Sequence, residues 1–367
     1  MSDEPLLLTP GPLTTSKATK KAMLRDWGSR DGKFIELTAG ICQKIEAIAG
    51  VDADNPSHSC VLIQGSGTFA VEATIDSLVP RDGKVLVLIN GAYGLRIAKI
   101  CEINGRDYVT LETAENEPPT ADQVADYLKK DPAISYVVAV HCETTSGILN
   151  PIADIAGVIS EAGRLLIIDA MSSFGALPLD VGEVPCAAII ASSNKCLEGV
   201  PGIGFAIIDK TVLAEAGGNA TSLSLDLVDQ WQNFEKTGQW RFTPPTHVLA
   251  ALNQALLEHE AEGGVNGRGQ RYQENCQTLV NGMNALGFKT YLSGNLQAPI
   301  IVTFHLPAAN SFKFEDFYDR LNERGFAIYP GKLTKVDSFR IGCIGHLTKT
   351  DIENAVAAVA AVLAELD

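Results

Sequence analysis

The sequence predicts an α/β protein, in which a large unit with a mostly parallel central sheet precedes a smaller C-terminal α+β unit. Two observations predict this class. Between about residues 59 and 209, short apolar segments rich in β-branched residues alternate with segments of helical periodicity, as in β-α units around a parallel sheet. After "RFTPPTH" (241–247) the alternation stops, and long amphipathic helices take its place.

The strands predicted for the large unit are apolar segments of five to eight residues. They are "CVLIQ" (60–64), "KVLVLIN" (84–90), "RDYVTL" (106–111), "SYVVAVH" (135–141), "RLLIID" (164–169), "CAAIIAS" (186–192) and "GIGFAIID" (202–209). Helical periodicity between them predicts helices over 68–78, 94–103, 120–130 and 152–162, with "PRDG" and "NGAYG" as turns.

The C-terminal unit begins with helices predicted over 246–261 and 265–286. It continues with "FKTYL" (288–292), "PIIVTFHLP" (299–307), a helix near 311–324, "FAIYP" (326–330), "SFRIG" (338–342) and a final helix from 350. We therefore divide the chain into an N-terminal segment (1–14), a large domain (15–260) and a small domain (261–367) that is entered through a long helix.

The charge and composition of the chain disfavour several classes of binding partner. The net charge of −15 argues against nucleic acid and anionic membrane surfaces, because no basic cluster offsets the field. Acids stand in "MSDEPLLLTPGP" where a secretory signal needs positive charge, and no apolar stretch approaches the roughly 18 residues of a membrane span. Eight cysteines without metal-ligand spacing suit a reducing cytoplasm, where we expect this protein.

Polar residues that could bind a ligand or take part in catalysis follow four of the predicted strands. "GSGT" (65–68) opens a helix, the segment 141–147 follows another strand, and Asp169 and Lys195 stand at or just beyond two more. In open α/β sheets, ligands bind outside the carboxyl ends of the strands. The sequence therefore predicts that these four positions surround one cleft.

The segment "GSGTFA" matches the dinucleotide fingerprint G-x-G-x-x-A, which favours a nicotinamide-dependent oxidoreductase. That fingerprint also needs an acid at the end of the second strand, whereas Asp82 falls in the turn before it. A phosphate cradle formed by Ser66, Gly67 and Thr68 is the simpler interpretation, since small residues let backbone amides approach an anion at a helix N-terminus. An ordinary strand-to-helix turn is the other alternative.

Asp169 ends a very apolar strand, so its carboxylate needs a cationic partner. A helix cap or structural ion pair would supply one, and so would the protonated nitrogen of a bound ring. Lys195 follows 26 residues later, and burial among apolar strands lowers a lysine pKa and makes its amine nucleophilic toward aldehydes. A phosphate cradle, an acid and such a lysine are together what pyridoxal 5′-phosphate requires.

At these residues the sequence resembles the fold type I superfamily of pyridoxal-phosphate transferases, in its class V, alanine–glyoxylate aminotransferase-like branch. The resemblance covers most of the chain. Its motifs are "LLLTPGPLTT" (6–15), "DWGSRD" (26–31), "QGSGTFAVEA" (64–73), "NGAYGLR" (90–96), "VHCETTSGILNP" (140–151), "IIDAMSSFGALPLD" (167–180), "SSNKCLEGVPGIGF" (192–205) and "RFTPPTH" (241–247).

The resemblance implies a role for each matching residue. Lys195 would carry the coenzyme as a Schiff base and shuttle the proton, and Asp169 would pair with the pyridinium nitrogen. The phosphate would be held by Ser66, Gly67 and Thr68, with Ser192 as a further donor.

Other implied contacts complete the coenzyme site. Tyr93 would stack on the ring, and Thr145 would bind its phenolic oxygen with support from Glu143 and Thr144. Thr243 would reach the phosphate of the neighbouring subunit, which implies a homodimer with shared active sites, and the segment 1–14 would contribute to the site.

Substrate recognition is assigned through two arginines. Arg340 in "SFRIGCIGH" matches the family's carboxylate-binding arginine, and a guanidinium also suits a phosphonate. For Arg30 in "DWGSRD", a substrate-binding role and a solvated surface position are equally favoured alternatives. His141 and His247 are expected to be packed, hydrogen-bonded side chains, and no metal site is expected.

The narrower motifs "LLLTPGPLTT" and "ETTSGILNP" imply transfer of the amino group of 2-aminoethylphosphonate to pyruvate, which yields phosphonoacetaldehyde and L-alanine in phosphonate catabolism. An alanine–glyoxylate or serine–pyruvate aminotransferase is the closest alternative. A nicotinamide-dependent oxidoreductase and a noncatalytic coenzyme-binding protein are the alternatives from other classes. A cysteine desulfurase is disfavoured, because no cysteine lies in an evident mobile, glycine-rich loop.

Overall fold

A computed structural model describes residues 4–307 and 312–366. Residues 1–3, 308–311 and 367, which belong to the predicted N-terminal segment, the helix near 311–324 and the small domain, lie outside the described residues. The strands are β1 (Leu6–Leu7), β2 (His58–Gly65), β3 (Lys84–Ile89), β4 (Asp107–Glu112), β5 (Ile134–Val140), β6 (Cys142–Glu143), β7 (Ile148–Leu149), β8 (Leu165–Asp169), β9 (Ala188–Ser192), β10 (Gly202–Asp209), β11 (Ile301–His305), β12 (Phe326–Ala327), β13 (Tyr329–Pro330) and β14 (Ser338–Gly342).

The helices include every one predicted from periodicity, along with several that were not. They are α1 (Lys17–Ala22), α2 (Gly32–Ile48), α3 (Gly67–Leu78), α4 (Ala92–Ile103), α5 (Ala121–Lys130), α6 (Ile152–Glu161), α7 (Lys210–Glu215), α8 (Leu227–Thr237), α9 (Thr246–Ala261), α10 (Gly264–Ala285), α11 (Phe314–Glu323) and α12 (Lys349–Leu366). Within the described residues, none is both long and apolar enough to cross a membrane.

A seven-stranded sheet in the order β2-β10-β9-β8-β5-β3-β4 forms the centre of the molecule, which confirms the predicted fold class. All seven predicted strands are present, and every neighbouring pair is parallel except the two that involve β10. The connection from β9 to β10, residues 193–201, is shorter than the dozen or so residues that a parallel crossover requires. That short connection explains why β10 reverses direction.

Alternating side chains of the sheet pack on both of its faces. In β3, Leu86 and Leu88 join the core that includes α2, α5, α6 and α9, whereas Val85 and Val87 join the core with α3, α4 and α8. Both faces are therefore covered by helices, as the continuous apolar strands predict. Such coverage leaves the carboxyl-end edge of the sheet as the place where polar groups can reach a ligand.

The C-terminal unit has its own three-stranded antiparallel sheet, β11-β14-β13, packed against α10, α11 and α12. Its core centres on the rings of Phe288, Phe304, Phe317 and Phe339. The predicted strand at 288–292 is not formed: its pairing with β11 is limited to two backbone hydrogen bonds, made by Lys289 and Tyr291 on either side of Thr290, which give only an isolated bridge.

The N-terminal segment is anchored on the C-terminal unit. Strand β1 pairs in parallel with β12 through Leu6 and Phe326, and the amide of Gly342 donates to the Leu8 carbonyl at 2.9 Å. From this anchor the chain runs on to Gly11, which lies beside the carboxyl ends of the central strands.

Candidate active site

A cavity of about 460 Å³ opens at the carboxyl-end edge of the central sheet. Six residues predicted for the site line it, namely Ser66, Gly67, Thr68, Tyr93, Ser192 and Lys195, together with Gly65, Arg96, Met171, Ser172, Asn194, Pro201 and Gly202. A groove of about 910 Å³ beside the N-terminal segment is larger, but it lies away from these strand ends. Chemistry and topology, rather than volume, therefore identify the candidate site.

The first wall of the cavity is the N-terminus of α3. Ser66 is the N-cap, with extended backbone, yet its hydroxyl makes no capping hydrogen bond and stays available to a ligand. A Cβ at Gly67 would lie 2.3 Å from the sulfur of Met171, so only glycine fits this close approach. The exposed amides and the positive end of the helix dipole fit a phosphate group.

Arg96 adds positive charge to this wall. Its Nη1 donates to the Thr68 hydroxyl at 3.2 Å, and its guanidinium carbon lies 5.0 Å from the centroid of the Tyr93 ring. The sequence analysis did not select Arg96, although it lies one turn after Tyr93 in "NGAYGLR". Because residues three apart on a helix lie on the same face, the spacing from Tyr93, a predicted ring-stacking residue, could have identified Arg96 from the sequence.

Asp169, the last residue of β8, lies beside the cavity rather than in its lining, close to Met171 and Ser172, which line it. Its side chain is buried and accepts a hydrogen bond from the Met171 amide at 3.0 Å, but no cationic side chain of the described residues forms an ion pair with it. Burial raises the pKa of Asp169 to about 6, and that single backbone bond only partly opposes the shift. A buried acid without a counter-charge fits a ligand that brings a protonated nitrogen.

Lys195 follows β9 and points into the same cavity. Its Nζ donates to the Gly11 carbonyl at 3.3 Å, which brings the N-terminal segment to the reactive amine. Gly11 has φ +119°, and a Cβ there would lie 2.6 Å from Nζ, so both conformation and space require glycine. Burial lowers the pKa of Lys195 and so favours the neutral, nucleophilic amine.

The buried carboxylate of Glu143 holds Tyr93 and Thr145 in place. One oxygen accepts from the Tyr93 amide at 3.0 Å, and the other accepts from the Thr145 amide at 2.9 Å and hydroxyl at 2.6 Å. The Thr145 hydroxyl also accepts from the Ala92 amide at 2.9 Å. Thr145 is thus occupied within the chain and does not line the cavity, and its role at the coenzyme stays a prediction.

Arg340 lies on β14 of the C-terminal unit and is buried close to this loop. Its Nη1 donates to the Thr144 carbonyl at 2.8 Å and its Nε to the Pro330 carbonyl at 3.1 Å. Arg30 and Thr243 are exposed and do not line the cavity. Within one chain, the structure therefore brings Arg340, but neither Arg30 nor Thr243, to the loop that contains Thr144.

The two histidines differ from each other. His141 is buried, its Nδ1 lies 3.0 Å from the Ser173 hydroxyl, and burial lowers its pKa to about 4, so it is neutral. His247 is on the surface, 3.1 Å from a carboxylate oxygen of Asp26, rather than packed as expected. In residues 4–307 and 312–366, no cluster of three or more histidine, cysteine, aspartate or glutamate side chains is arranged to hold a metal ion.

Comparison with known proteins assigns the family. Residues 21–344 match the family model described as aminotransferase class-V. The chain belongs to the class-V aminotransferases. The coenzyme of this family is pyridoxal 5′-phosphate, and the cradle at α3, the uncompensated Asp169 and the buried Lys195 fit its phosphate, ring nitrogen and aldehyde.

Curated relatives of this aminotransferase extend over the whole chain. The 2-aminoethylphosphonate–pyruvate transaminase of Pseudomonas fluorescens strain Pf-5 is 60% identical over 99% of this chain and 98% of its own. The protein of the same name from Pseudomonas entomophila is 59% identical over 100% and 99%. An alanine–glyoxylate aminotransferase structure from Nostoc sp. has a TM-score of 0.90 at 23% identity, covers 99% and 96% of the two chains, and supports the fold alone.

Proposed function

We propose that this class-V aminotransferase transfers the amino group of 2-aminoethylphosphonate to pyruvate, releasing phosphonoacetaldehyde and L-alanine. The observation that carries the proposal is the near-full-length identity of 57–60% with several relatives that bear the name of this reaction. The geometry supports the reaction type independently, because an anion cradle and a buried lysine of lowered pKa line one cavity and a buried acid lies beside it.

Lys195 is the residue that moves protons. When bound, pyridoxal 5′-phosphate carries the amino group between the two substrates and takes up the electrons of the C–H bond that breaks. The Nζ of Lys195, whose pKa burial lowers, would attach the coenzyme and, once released, accept the substrate proton. Gly11 aids both tasks, since its carbonyl orients the amine without adding charge.

Asp169 and the cradle hold the two ends of the coenzyme. The Asp169 carboxylate stabilises a protonated ring nitrogen, and the Met171 amide keeps that carboxylate in place. Ser66, Gly67 and Thr68 bind the phosphate through hydroxyl and amide donors, and Arg96 neutralises part of its charge. Held by these residues at both ends, a bound coenzyme would lie within reach of Lys195.

Arg340 binds the acidic group of each substrate in turn. Among the described residues, the guanidinium donates to the Thr144 and Pro330 backbone carbonyls, and no carboxylate lies within ion-pair distance of it. A carboxylate from pyruvate or a phosphonate from the donor supplies that charge. Arg30 is a helper in this role.

The assembly and location complete the proposal. A homodimer places the exposed Thr243 of one subunit at the phosphate of the other, so the two active sites are shared. The division into segment 1–14, domain 15–260 and domain 261–367 describes the units that frame each site. Eight free cysteines suit a reducing cytoplasm, where we place the enzyme.

A donor and acceptor panel tests the function. The purified holoenzyme is incubated with 2-aminoethylphosphonate, L-alanine or L-serine as donor and with pyruvate or glyoxylate as acceptor, and kcat/KM is measured for each pair. We expect the highest value for 2-aminoethylphosphonate with pyruvate. Good activity on L-serine without any phosphonoacetaldehyde would instead identify a serine–pyruvate aminotransferase.

Asp169→Asn is expected to lower kcat on the order of 100-fold, because an amide cannot supply the charge-assisted hydrogen bond to the ring nitrogen. Coenzyme binding to the apoenzyme should weaken as well, which titration of coenzyme absorbance measures. Asp154→Asn on the exposed face of α6 is the matched control. A wild-type kcat in Asp169→Asn would remove Asp169 from the coenzyme site.

Arg340→Ala is expected to raise the KM of pyruvate and of 2-aminoethylphosphonate by about 10- to 100-fold, because each loses a charge-assisted pair. Arg340→Lys keeps the charge without the fork and should recover part of the loss. Arg81→Ala is the control, since Arg81 also donates to two backbone carbonyls but lies on the surface. Unchanged Michaelis constants would exclude Arg340 from substrate binding.

A further inference from the structure

Three cationic side chains gather around Tyr93 in a protein whose net charge is −15. Arg96 and Lys332 both lie over its ring, with the Lys332 Nζ 4.1 Å from the centroid and the Arg96 guanidinium carbon at 5.0 Å. Arg340 lies close by, since its Nη1 donates to the Thr144 carbonyl and the Tyr93 amide donates to the carboxylate of Glu143, the residue before Thr144. Within the described part of the chain none of the three forms an ion pair, and the buried Asp169 and Glu143 offset only part of the charge of Arg96 and Arg340, so an entering anion meets a positive region.

One hairpin carries both Arg340 and Lys332. In the β13–β14 ladder Tyr329 is paired with Arg340, and beyond it the Gly331 amide donates to the Ser338 carbonyl at 2.9 Å. Lys332 is the next residue. Its position over Tyr93 therefore follows from the register of the ladder that fixes Arg340.

The loop of this hairpin is also fastened to the large domain. The Thr334 amide donates to both carboxylate oxygens of Glu115, each at 3.2 Å. Glu115 lies in the connection after β4, so the loop is held from the ladder on one side and from the central sheet unit on the other. Lys332 lies between these two sets of hydrogen bonds, which hold it near the cavity.

The two substrates differ in charge at their acidic ends. Pyruvate presents a carboxylate with one negative charge, whereas a phosphonate, like a phosphate ester, carries up to two near neutral pH. The positive charge of Arg340 alone balances the single negative charge of a carboxylate. An ammonium is a compact charge with rotatable donors, and it suits the remaining oxygen of a tetrahedral group.

We propose that Lys332 is a specificity-determining residue that binds the phosphonate dianion of the amino donor and contributes little to carboxylate substrates. This inference rests on the proposed function. Without donor, the Lys332 ammonium lies on the Tyr93 ring, a weak contact that it exchanges for a charge-assisted hydrogen bond when the phosphonate enters. The positive charge of Lys332 also lowers the pKa of Lys195, which favours the neutral amine.

Lys332→Gln in the holoenzyme tests the proposal. We expect kcat/KM for 2-aminoethylphosphonate to fall by about 10- to 100-fold, mainly through KM, and the value for L-alanine in the reverse direction to change far less. Competitive inhibition by ethylphosphonate, which cannot react, should weaken by a similar factor. Lys332→Arg should recover part of the donor affinity, and Lys335→Gln, an exposed lysine of the same loop, is the control.

The outcomes separate the two proposals. If the wild-type enzyme uses 2-aminoethylphosphonate but Lys332→Gln loses nothing, or loses equally on L-alanine, the role of Lys332 is overturned and the proposed function stands. If the wild-type enzyme converts L-alanine but never 2-aminoethylphosphonate, the proposed function fails and this inference fails with it. Selective loss of donor turnover and ethylphosphonate inhibition supports Lys332.

Discussion

Lys195→Ala is expected to lower the kcat of transamination by at least about 10³-fold, because it removes the base that moves the substrate proton. The variant also loses the covalent attachment of the coenzyme, so gel filtration should strip coenzyme from it more readily than from the wild type. Burial lowers the pKa of this amine, and the Gly11 carbonyl orients it.

Two comparisons make the result specific to Lys195. Lys129→Ala changes an exposed lysine of α5 and should keep wild-type kcat and coenzyme content. A small amine such as methylamine, added to Lys195→Ala, should restore part of the proton transfer, because it reaches the space that the side chain vacates. Retention of more than about a tenth of the wild-type kcat by Lys195→Ala would contradict the assignment of the base.

Glu198→Ala is expected to lower the free energy of unfolding by about 3–5 kcal/mol, because it removes the acid from a buried ion-pair network. The Glu198 Oε1 accepts from the Tyr272 hydroxyl at 2.6 Å and from Arg271 Nη2 at 2.7 Å, and the buried Arg268 lies 3.5 Å away. Two arginines would then share the charge of Glu262 alone.

The network matters because it fastens the lysine loop to the C-terminal unit. Arg268 donates to the Cys196 carbonyl, directly after Lys195, and Arg271 donates to the Gly345 and Leu347 carbonyls at 2.6 and 2.9 Å. Glu198 itself has φ +59°, the one positive value among the described residues other than glycine. The network therefore holds a strained turn beside the reactive amine.

Urea unfolding at one protein and coenzyme concentration measures the effect of Glu198→Ala. Glu198→Gln keeps the shape and should fall between that variant and the wild type. Glu274→Gln on α10 removes an exposed glutamate that pairs with Lys349 at 3.5 Å, and it should change stability by less than about 1 kcal/mol. Equal stabilities of Glu198→Ala and Glu274→Gln would show that the buried network does not stabilise the fold.

Local sequence patterns predicted most of the strands and helices, because the patterns that indicate such elements extend over only a few residues. The apolar strands before Gly65, Asp169 and Lys195 formed as expected, and topology brought their ends to one cavity. The isolated bridge at Thr290 shows the limit of such patterns, because a local pattern predicts extended backbone but not how many of its residues pair with a neighbouring strand.

Contacts between distant segments could not be predicted in the same way. No local signal joins Gly11 to Lys195 or Lys332 to Tyr93, because each contact depends on how the C-terminal unit packs on the large one. The sequence could not show either that Asp169 forms no ion pair within the described residues, because that depends on which side chains the fold brings near it. The direction of β10 likewise follows from the length of its connection rather than from its composition.

A single-turnover experiment tests the proposed reaction most directly. The holoenzyme is mixed with 2-aminoethylphosphonate in the absence of any acceptor, the released aldehyde is quantified, the unreacted donor is removed, and pyruvate is then added. We expect about one phosphonoacetaldehyde for each active site before pyruvate and one L-alanine after it, as a ping-pong transfer requires. Release of no aldehyde in the first step, with L-alanine readily deaminated under the same conditions, would contradict the proposed amino donor.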